Sequence, residues 1–402
     1  MSFPPIDEQL RVIRRGVVDL IGEEELVERL RESAQTGRPL RVKLGIDPSS
    51  PDIHVGHTVP LRKLAEFQRL GHTAIVLWGT ATAMVGDPTG KDKTRPQLTR
   101  AQVDHNKQTY RAQIAAVLDV DSIEERENSE WFDGMTFMDA VKLSASYTVA
   151  QILERDSFLE RYRAGQPISI HEFLYPLMQG YDSVELQADV ELGGTDQLFN
   201  LMVGRELQKQ HGQRPQVCIT TPIIEGLDGV QKMSKSLGNA IGVSDPPSQM
   251  FGKCMSIPDP LMEKYFTFLT DAPEAEVRAL LGGHPRTAKV ALARSIVTGY
   301  HGVAAAEAAV AEFDRMFREG GLPDEIPEVA IPAEELRDGA ILLANALAQG
   351  GLCGSSSEGR RLLKGGGVRV DGAKVDDERA TLGPGSYLLQ SGKRKAVRVR
   401  IG

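Results

Sequence analysis

A strand, a tight turn and a helix follow one another between residues 40 and 71, and this unit constrains the chain more than any other stretch. Leu40, Val42, Leu44 and Ile46 alternate with Arg41, Lys43, Gly45 and Asp47, a period of two that predicts a strand. Pro48-Ser49-Ser50-Pro51-Asp52 breaks the run and forces a turn. From His57 onward Val59, Leu61, Leu64, Phe67 and Leu70 recur at helical spacing, and Gly71 fits the stop position just past the helix. His54-Val55-Gly56-His57 therefore falls in or near a first helical turn, where unpaired N–H groups and the positive end of the dipole favour phosphate oxygens. Histidines three residues apart share a face, so Nε2 donors from His54 and His57 can meet one anion, while Gly56 leaves the backbone open to a nucleotide.

A second cationic cluster lies far along the chain. Val217, Ile219, Ile223 and Ile224 suggest a strand, and the turn-rich Glu225-Gly226-Leu227-Asp228-Gly229 then carries Lys232-Met233-Ser234-Lys235-Ser236, expected to be a mobile loop. Two ammonium groups with hydroxyls between them suit a triphosphate whose charge grows during reaction.

Between these clusters, Pro176 is acceptable in a first helical turn, which predicts Tyr175, Gln179 and Asp182 at i, i+4 and i+7 on one face. A phenol, an amide and a carboxylate so arranged suit either a small-ligand pocket or a hydrogen-bonded core helix. Gly193-Gly194-Thr195-Asp196-Gln197 offers a backbone that can approach a ribose, a carboxylate for its hydroxyls and an amide for a carbonyl. Ile75-Val76-Leu77-Trp78 reads as a buried strand leading into the polar loop 86–95.

The His54–His57 and Lys232–Ser236 runs resemble the two signature motifs of class I aminoacyl-tRNA synthetases. The 175–182 and 193–197 segments are similar to the tyrosine-binding helix and ribose-binding loop of the tyrosyl-tRNA synthetases. Tryptophanyl relatives carry a Met-Ala-Ala-Asp-like run where this chain has Met178-Gln179-Gly180-Tyr181-Asp182.

The resemblance implies an α/β fold. A Rossmann-type parallel-sheet catalytic domain with a helical dimerisation insertion is expected over 1–225, followed by the signature loop at 226–245. An α-helical anticodon-side domain over 246–320, a linker at 321–336 and a small basic α+β RNA-binding domain over 337–402 complete the expected layout.

The resemblance also implies roles. Asp87, with Tyr175 and Gln179, holds the substrate ammonium, Asp182 accepts the phenol, and Gln197 completes the amino-acid contacts. His54, His57, Lys91, Arg95, Lys232 and Lys235 stabilise the phosphates and the departing pyrophosphate. Asp47, Ser49, Gly56, Gly194, Asp196, Met233, Ser234 and Ser236 surround the nucleotide and its ribose. Two positions depart from many bacterial members: Lys43 stands where a phenol-binding tyrosine is usual, and Leu44 where a polar ribose contact is usual. A second bacterial branch reads Val-Lys-Leu-Gly here, as this chain does, which leaves open what supplements Asp182 at the phenol. Pro60 likewise stands where a hydroxyl residue is common, at a place in a helix that tolerates proline.

The expected reaction is therefore that of a tyrosine-tRNA ligase: L-tyrosine and ATP give tyrosyl-adenylate, and tyrosine passes to the terminal adenosine of tRNA(Tyr). The rivals are a tryptophan-tRNA ligase and a non-catalytic RNA-binding paralogue. The substrate carboxylate is ionised at neutral pH, so its attack requires no protein base. No cluster has dedicated metal-ligand spacing, and Mg²⁺ is expected to arrive on ATP.

Composition bounds the rest. A chain of 402 residues, 41% hydrophobic and 25% charged, is ordinary globular material for two or three domains. No apolar run reaches the roughly 18 residues of a membrane span, and Met1-Ser2-Phe3-Pro4-Pro5 opens no secretory h-region, so a cytoplasmic protein is expected. Cys218, Cys254 and Cys353 are odd in number and far apart, which fits reduced thiols. Charge is uneven: residues 354–402 carry +6 of a net −8, leaving −14 on the rest. A predicted capped helix at 357–364 and hairpin at 365–372 lie in this basic tail, which resembles a small RNA-binding fold shared with a ribosomal protein. Segments 101–162 and 245–318 read as mainly helical, and the resemblance implies a homodimer built around the first of them.

Overall fold

Six strands form one mixed sheet in the computed structural model, which describes residues 3–88, 98–318, 326–337, 339–392 and 395–402. They are β1 (Asp19–Ile21), β2 (Arg41–Ile46), β3 (Thr73–Trp78), β4 (Glu124–Glu127), β5 (Val190–Gly194) and β6 (Val217–Thr221), in the spatial order β1-β6-β5-β2-β3-β4. Every pairing is parallel except that of the edge strand β1 with β6, so the expected parallel sheet carries one antiparallel margin. The chain runs outward from β2 through β3 to β4, then returns to β5 on the other side of β2. That reversal opens a crevice at the carboxyl ends of β2 and β5, the usual seat of a ligand in such sheets.

The predicted alternation in β2 is replaced by burial of Val42, Lys43 and Leu44 in succession. A central parallel strand is covered on both faces, so both sets of side chains go inside, and Lys43 goes with them. The helix Thr58–Arg69 follows as predicted: Val59, Leu61, Leu64 and Phe67 are buried, and Gly71 ends it at φ +93° with its N–H on Gln68 O. The 101–162 segment, read as helical, also contains β4. Its Glu-Glu-Arg-Glu sequence has little intrinsic strand preference, and this edge strand is held by cations instead: Arg41 on Glu124, Arg111 on Glu125 and Lys107 on Glu127.

The helix bearing Tyr175 starts earlier than predicted. It spans Ile170–Glu185 and is opened by Ser169, with Glu172 returning to the Ser169 N–H at 2.8 Å, a capping box. Pro176 therefore sits inside the helix rather than in its first turn.

The chain divides into two compact units, Met1–Gly302 and Val303–Gly402. The helical run Pro285–Arg318 crosses that boundary with a break at Gly302, whose φ of 82° and ψ of 167° are not helical. In the first unit the helices Pro247–Ser256, Met262–Leu269 and Glu274–Leu281 precede it, with Phe251, Tyr265, Phe266, Leu292 and Ile296 buried.

The second unit has its own core of Leu343, Leu347, Leu363, Leu389, Val397 and Val399. β7 (Glu328–Ile331), β9 (Val368–Val370), β10 (Ala373–Val375), β12 (Gly385–Ser391) and β13 (Lys395–Ile401) form its sheet, and β8 (Ile341–Leu342) pairs with β11 (Thr381–Leu382). The helix Ser356–Lys364 is capped by Ser355, and Asp371-Gly372, both at positive φ, turn β9 into β10.

Candidate active site

The two signature segments meet through their backbones. Val55 N–H donates to Ile241 O at 2.9 Å and Val243 N–H to Ile53 O at 3.1 Å, so the strand-like segment after the lysine loop pairs with the histidine turn. Val55–His57 forms a single 3-10 turn ahead of the helix Thr58–Arg69. Thr58 donates to Val55 O at 2.7 Å and thus takes its second bond, at 2.8 Å, from the Tyr300 hydroxyl, which braces the turn from the helical part of the same unit.

His54 and His57 stack with ring centroids 3.7 Å apart. His57 Nδ1 accepts the His54 N–H at 3.3 Å, which leaves the ring proton of a neutral His57 on Nε2. Both imidazoles are held below the usual histidine range. Burial, then the charges of His57 and Lys235, push His54 down to about 3. Desolvation, then Lys235, push His57 down to about 4, although His57 is solvent-exposed where His54 is buried. A side chain at Gly56 would begin 2.9 Å from His54 Nδ1, so the small residue is required by the ring beside it.

The lysine loop is tied down. Met233 is buried with its N–H on Ile224 O at 3.0 Å, Ser234 N–H bonds Asn239 Oδ1 at 2.8 Å, and Ser234 and Ser236 hydroxyls lie 2.9 Å apart. Lys235 Nζ reaches Asp52 Oδ2 at 2.8 Å. Lys232 lies close enough to Asp196 for its charge to act on that carboxyl. Ser49 is exposed and lines a cleft with Pro51, Leu98, Gln102 and Asn106. Lys91 and Arg95 lie outside the described residues.

Deeper in the crevice, Tyr175 hydroxyl donates to Asp47 Oδ2 at 2.9 Å, and Thr82 hydroxyl to Asp47 Oδ1 at 2.7 Å. Burial and the nearby carboxylates of Asp47, Asp87 and Asp182 raise the Tyr175 phenol well above its ordinary value, so these four side chains converge. Asp87 accepts from Gln197 Nε2 at 2.9 Å and faces Arg155 Nη2 at 3.4 Å. Gln179 Oε1 and Gln197 Oε1 share the Asn200 amide, at 3.0 and 2.8 Å. Gly194 ends β5, where a side chain would begin 2.7 Å from Asp196 Oδ1.

Asp182 is buried, and burial pushes its carboxyl up to about 7 against the opposing effects of Lys43, Trp131 and Asn128. Its Oδ1 accepts Trp131 Nε1 at 3.0 Å and its Oδ2 accepts Asn128 Nδ2 at 3.4 Å. Asn128 also donates to Thr82 Oγ1 at 3.0 Å and takes the Ala81 N–H at 2.7 Å. Asp47 and Asp182 are therefore linked through Thr82 and Asn128. Sequence reasoning missed Asn128, Trp131, Arg155 and Asn200, none of which lies in a recognisable motif. The Asn-Ser-Glu-Trp run at 128–131, polar residues around a tryptophan, was the faint signal available for two of them.

In the second unit the register puts Lys374, Arg369, Arg398 and Arg400 on the solvent face of the sheet. Lys374 pairs with Arg369, Arg369 with Gln390, and Arg398 with Leu388, while Val397, Val399 and Ile401 point inward. This cationic row suits phosphate contacts with RNA.

The chain is similar to known proteins over nearly its whole length. The family profile of tRNA synthetases class I (W and Y) matches residues 35–318, and that of the S4 domain matches residues 342–386. A tyrosine–tRNA ligase of Symbiobacterium thermophilum is 54% identical, covering 99% of each chain, and one of Bordetella avium is 51% identical, covering 99% of this chain and 97% of its own. The solved tyrosyl-tRNA synthetase of Archaeoglobus fulgidus, complexed with L-tyrosine, is 27% identical with a TM-score of 0.61, covering 76% of this chain and 100% of that one. With a synthetase profile over most of its length, an S4 segment behind it and relatives matching end to end, the chain belongs to the tyrosine–tRNA ligases of the class I aminoacyl-tRNA synthetases.

Proposed function

We infer that this protein is a tyrosine–tRNA ligase acting with ATP as substrate. The observation that carries the reading is the pairing of Ile53–Val55 with Ile241–Val243, which gathers imidazoles and ammonium groups beside a crevice lined by Asp47, Asp87, Tyr175 and Asp182. Full-length relatives named tyrosine–tRNA ligase favour neither a tryptophan-specific enzyme nor a non-catalytic scaffold.

A tyrosine carboxylate oxygen attacks the α-phosphorus of ATP; that O–P bond forms as the bond to the bridging oxygen breaks, and pyrophosphate leaves with the electron pair. Neutral His54 and His57 donate Nε2–H to the phosphates, and Lys232 and Lys235 offset the growing charge, with Lys91 and Arg95 assigned the same work. Holding the reactants in line supplies the remaining advantage. Asp87, Tyr175, Gln179 and Gln197 bind the amino-acid end, and Asp182 takes the phenol. Asp47 and Ser49 border the ligand and its phosphates. Gly56, Gly194, Asp196, Met233, Ser234 and Ser236 surround the nucleotide, and Mg²⁺ enters on ATP rather than in a dedicated protein site. A ribose hydroxyl of the terminal adenosine of tRNA(Tyr) then attacks the tyrosyl carbonyl; the ester C–O bond forms as the bond from the carbonyl carbon to the phosphate oxygen breaks, and AMP departs with that electron pair and the hydroxyl proton.

The same reading divides the chain into a catalytic part over 1–225, the signature loop at 226–245, an anticodon-side helical part over 246–320, a linker at 321–336 and an RNA-binding part over 337–402, except that Glu328–Ile331 of the expected linker pairs with β13 and belongs to the sheet of the RNA-binding part. It also makes the protein a cytoplasmic homodimer. Exposed Phe137, Met138 and Val141 on the helix Phe137–Ala145 support that assembly, as an apolar face of this kind is covered in most soluble proteins. Among the described residues no helix is long and apolar enough to cross a membrane.

Amino-acid-dependent ATP–pyrophosphate exchange tests the reading. Exchange with tyrosine and not with tryptophan or phenylalanine is expected; exchange with tryptophan alone, or with none of the three from folded protein, contradicts it.

A further inference from the structure

Lys43 and Glu191 form an ion pair at 3.0 Å with both side chains fully buried, directly behind the amino-acid end of the crevice. They are register neighbours on the parallel strands β2 and β5. Glu191 Oε1 also accepts Gln179 Nε2 at 3.2 Å, and its Oε2 accepts the Ser183 hydroxyl at 3.1 Å and the Gln216 amide. Lys43 Nζ in turn donates to Gln179 O at 3.1 Å and Ser183 Oγ at 2.8 Å, which bolts it to the helix turn that carries Asp182.

An ionised carboxylate has no proton to donate, so the half of the Gln179 amide that faces Glu191 has to be the NH₂. Its carbonyl Oε1 then faces the other way, where it accepts one Asn200 Nδ2 proton at 3.0 Å. The second Asn200 proton goes to Gln197 Oε1 at 2.8 Å, and this turns Gln197 Nε2 onto Asp87 at 2.9 Å. One buried acceptor thereby sets the direction of three amides in sequence. The outcome is a carbonyl at Gln179 and a carboxylate at Asp87 on the crevice side, the acceptors a primary ammonium requires.

We propose that Lys43 and Glu191 are positioning residues for the ammonium of the amino-acid substrate: Glu191 fixes which way the Gln179 amide points, and Lys43 supplies the charge that lets a carboxylate lie there. The proposal rests on the reading that tyrosine binds with its ammonium beside Asp87 and Gln179. A neutral residue at 191 that both donates and accepts removes the constraint, and the Gln179 amide then samples both directions. A carboxylate at 191 without its lysine is an uncompensated buried charge.

The double variant Lys43→Met/Glu191→Gln replaces both charges at nearly constant volume, a change that buried pairs commonly tolerate, and its melting temperature reports whether the fold is kept. Pyrophosphate exchange gives its KM for tyrosine and for ATP. Competitive inhibition by 3-(4-hydroxyphenyl)propanoate, tyrosine without its amine, gives a second reading of the same pocket. The expected result is a tyrosine KM raised about twofold if the amide divides equally between its two directions, and in proportion more where the reversed direction is preferred, with ATP KM and the inhibition constant unchanged. An unchanged tyrosine KM in the folded variant overturns the proposal. So does an equal loss for tyrosine and the amine-free analogue, which is what a merely structural pair produces. Should the double variant not fold, Glu191→Asp keeps both charges and only draws the carboxylate back from Gln179; it must show the same split between tyrosine and the analogue, and no split overturns the proposal. Exchange by the unsubstituted protein is measured first, and its absence with tyrosine overturns the functional reading itself and this proposal with it.

Discussion

Lys235 Nζ lies 2.8 Å from Asp52 Oδ2, so the second lysine of the loop is held by a carboxylate of the histidine turn rather than pointing freely into solvent. Both side chains are a little under half exposed, and a pair of that kind is worth about 0–1 kcal/mol. Asp52→Asn is therefore expected to leave the melting temperature nearly unchanged. Because a bound triphosphate has to win Lys235 from Asp52, the variant should lower the KM for ATP by no more than about fivefold, the equivalent of that energy. A raised KM would show that Asp52 presents the lysine instead of competing for it.

The role proposed for Asp182 at the phenol makes selectivity depend on pH. Its carboxyl, pushed up to about 7 by burial, is largely protonated at pH 6 and ionised at pH 8. The ionised form is the better phenol acceptor, and phenylalanine has no hydroxyl to offer, so the tyrosine-over-phenylalanine ratio of kcat/KM should rise between pH 6 and 8. Asp182→Asn should flatten that ratio and reduce it by roughly 10- to 100-fold at pH 8, as expected for loss of a charged acceptor. A flat ratio in the unsubstituted protein would remove Asp182 from the phenol site. The same shift acts on stability. The native state keeps this proton up to about pH 7 whereas the unfolded chain releases it near 3.8, so stability relative to Asp182→Asn should fall as pH rises through that window.

The two imidazoles act in the opposite sense. Folded values of about 3 and 4 lie below the ordinary 6.5, so on acidification the unfolded chain takes up these protons first. Their contribution is present above pH 6.5 and is lost as pH falls toward 4. Urea denaturation at pH 7.5 and 5 should show a smaller acid loss in His54→Asn/His57→Asn than in the unsubstituted protein. Equal losses would mean that the rings are not held neutral.

Gly56→Ala places a methyl group 2.9 Å from His54 Nδ1 and 3.4 Å from Ile224 Cγ1, so the ring has to shift. A shift of a few tenths of an ångström in the proposed phosphate donor should lower kcat/KM for ATP by about tenfold or more while the fold survives, as circular dichroism will report. Unaltered exchange kinetics would show that the ring moves without consequence.

Much of this site was legible in the chain itself because its parts are local. The histidine turn is a strand end, a proline break and a helix start, all written within 40–71, and Gly71 stops the helix where the spacing predicts. Properties that depend on what packs across the sheet were not legible. Lys43 looks like the solvent-facing member of an alternating strand, yet it is buried because β2 is central and Glu191 stands on the neighbouring strand. β4 was hidden because its charged residues gain their strand geometry from cations elsewhere in the chain. Pro176 suggested a helix start because proline favours first turns, while the Ser169–Glu172 capping box about two turns earlier went unread. Asn128 and Trp131 reach Asp182 across 50 or more residues of chain, a relationship that no spacing encodes.

A crystal structure with a non-hydrolysable tyrosyl-adenylate analogue would show where both ends of the substrate lie. The phenol is expected within hydrogen-bond distance of Asp182, the ammonium beside Asp87 and Gln179, the ribose at Gly194 and Asp196, and the phosphate mimic between His54, His57 and the 232–236 loop. An analogue bound with its phosphate mimic away from both the histidines and the lysines, or with its phenol remote from Asp182, would contradict this placement.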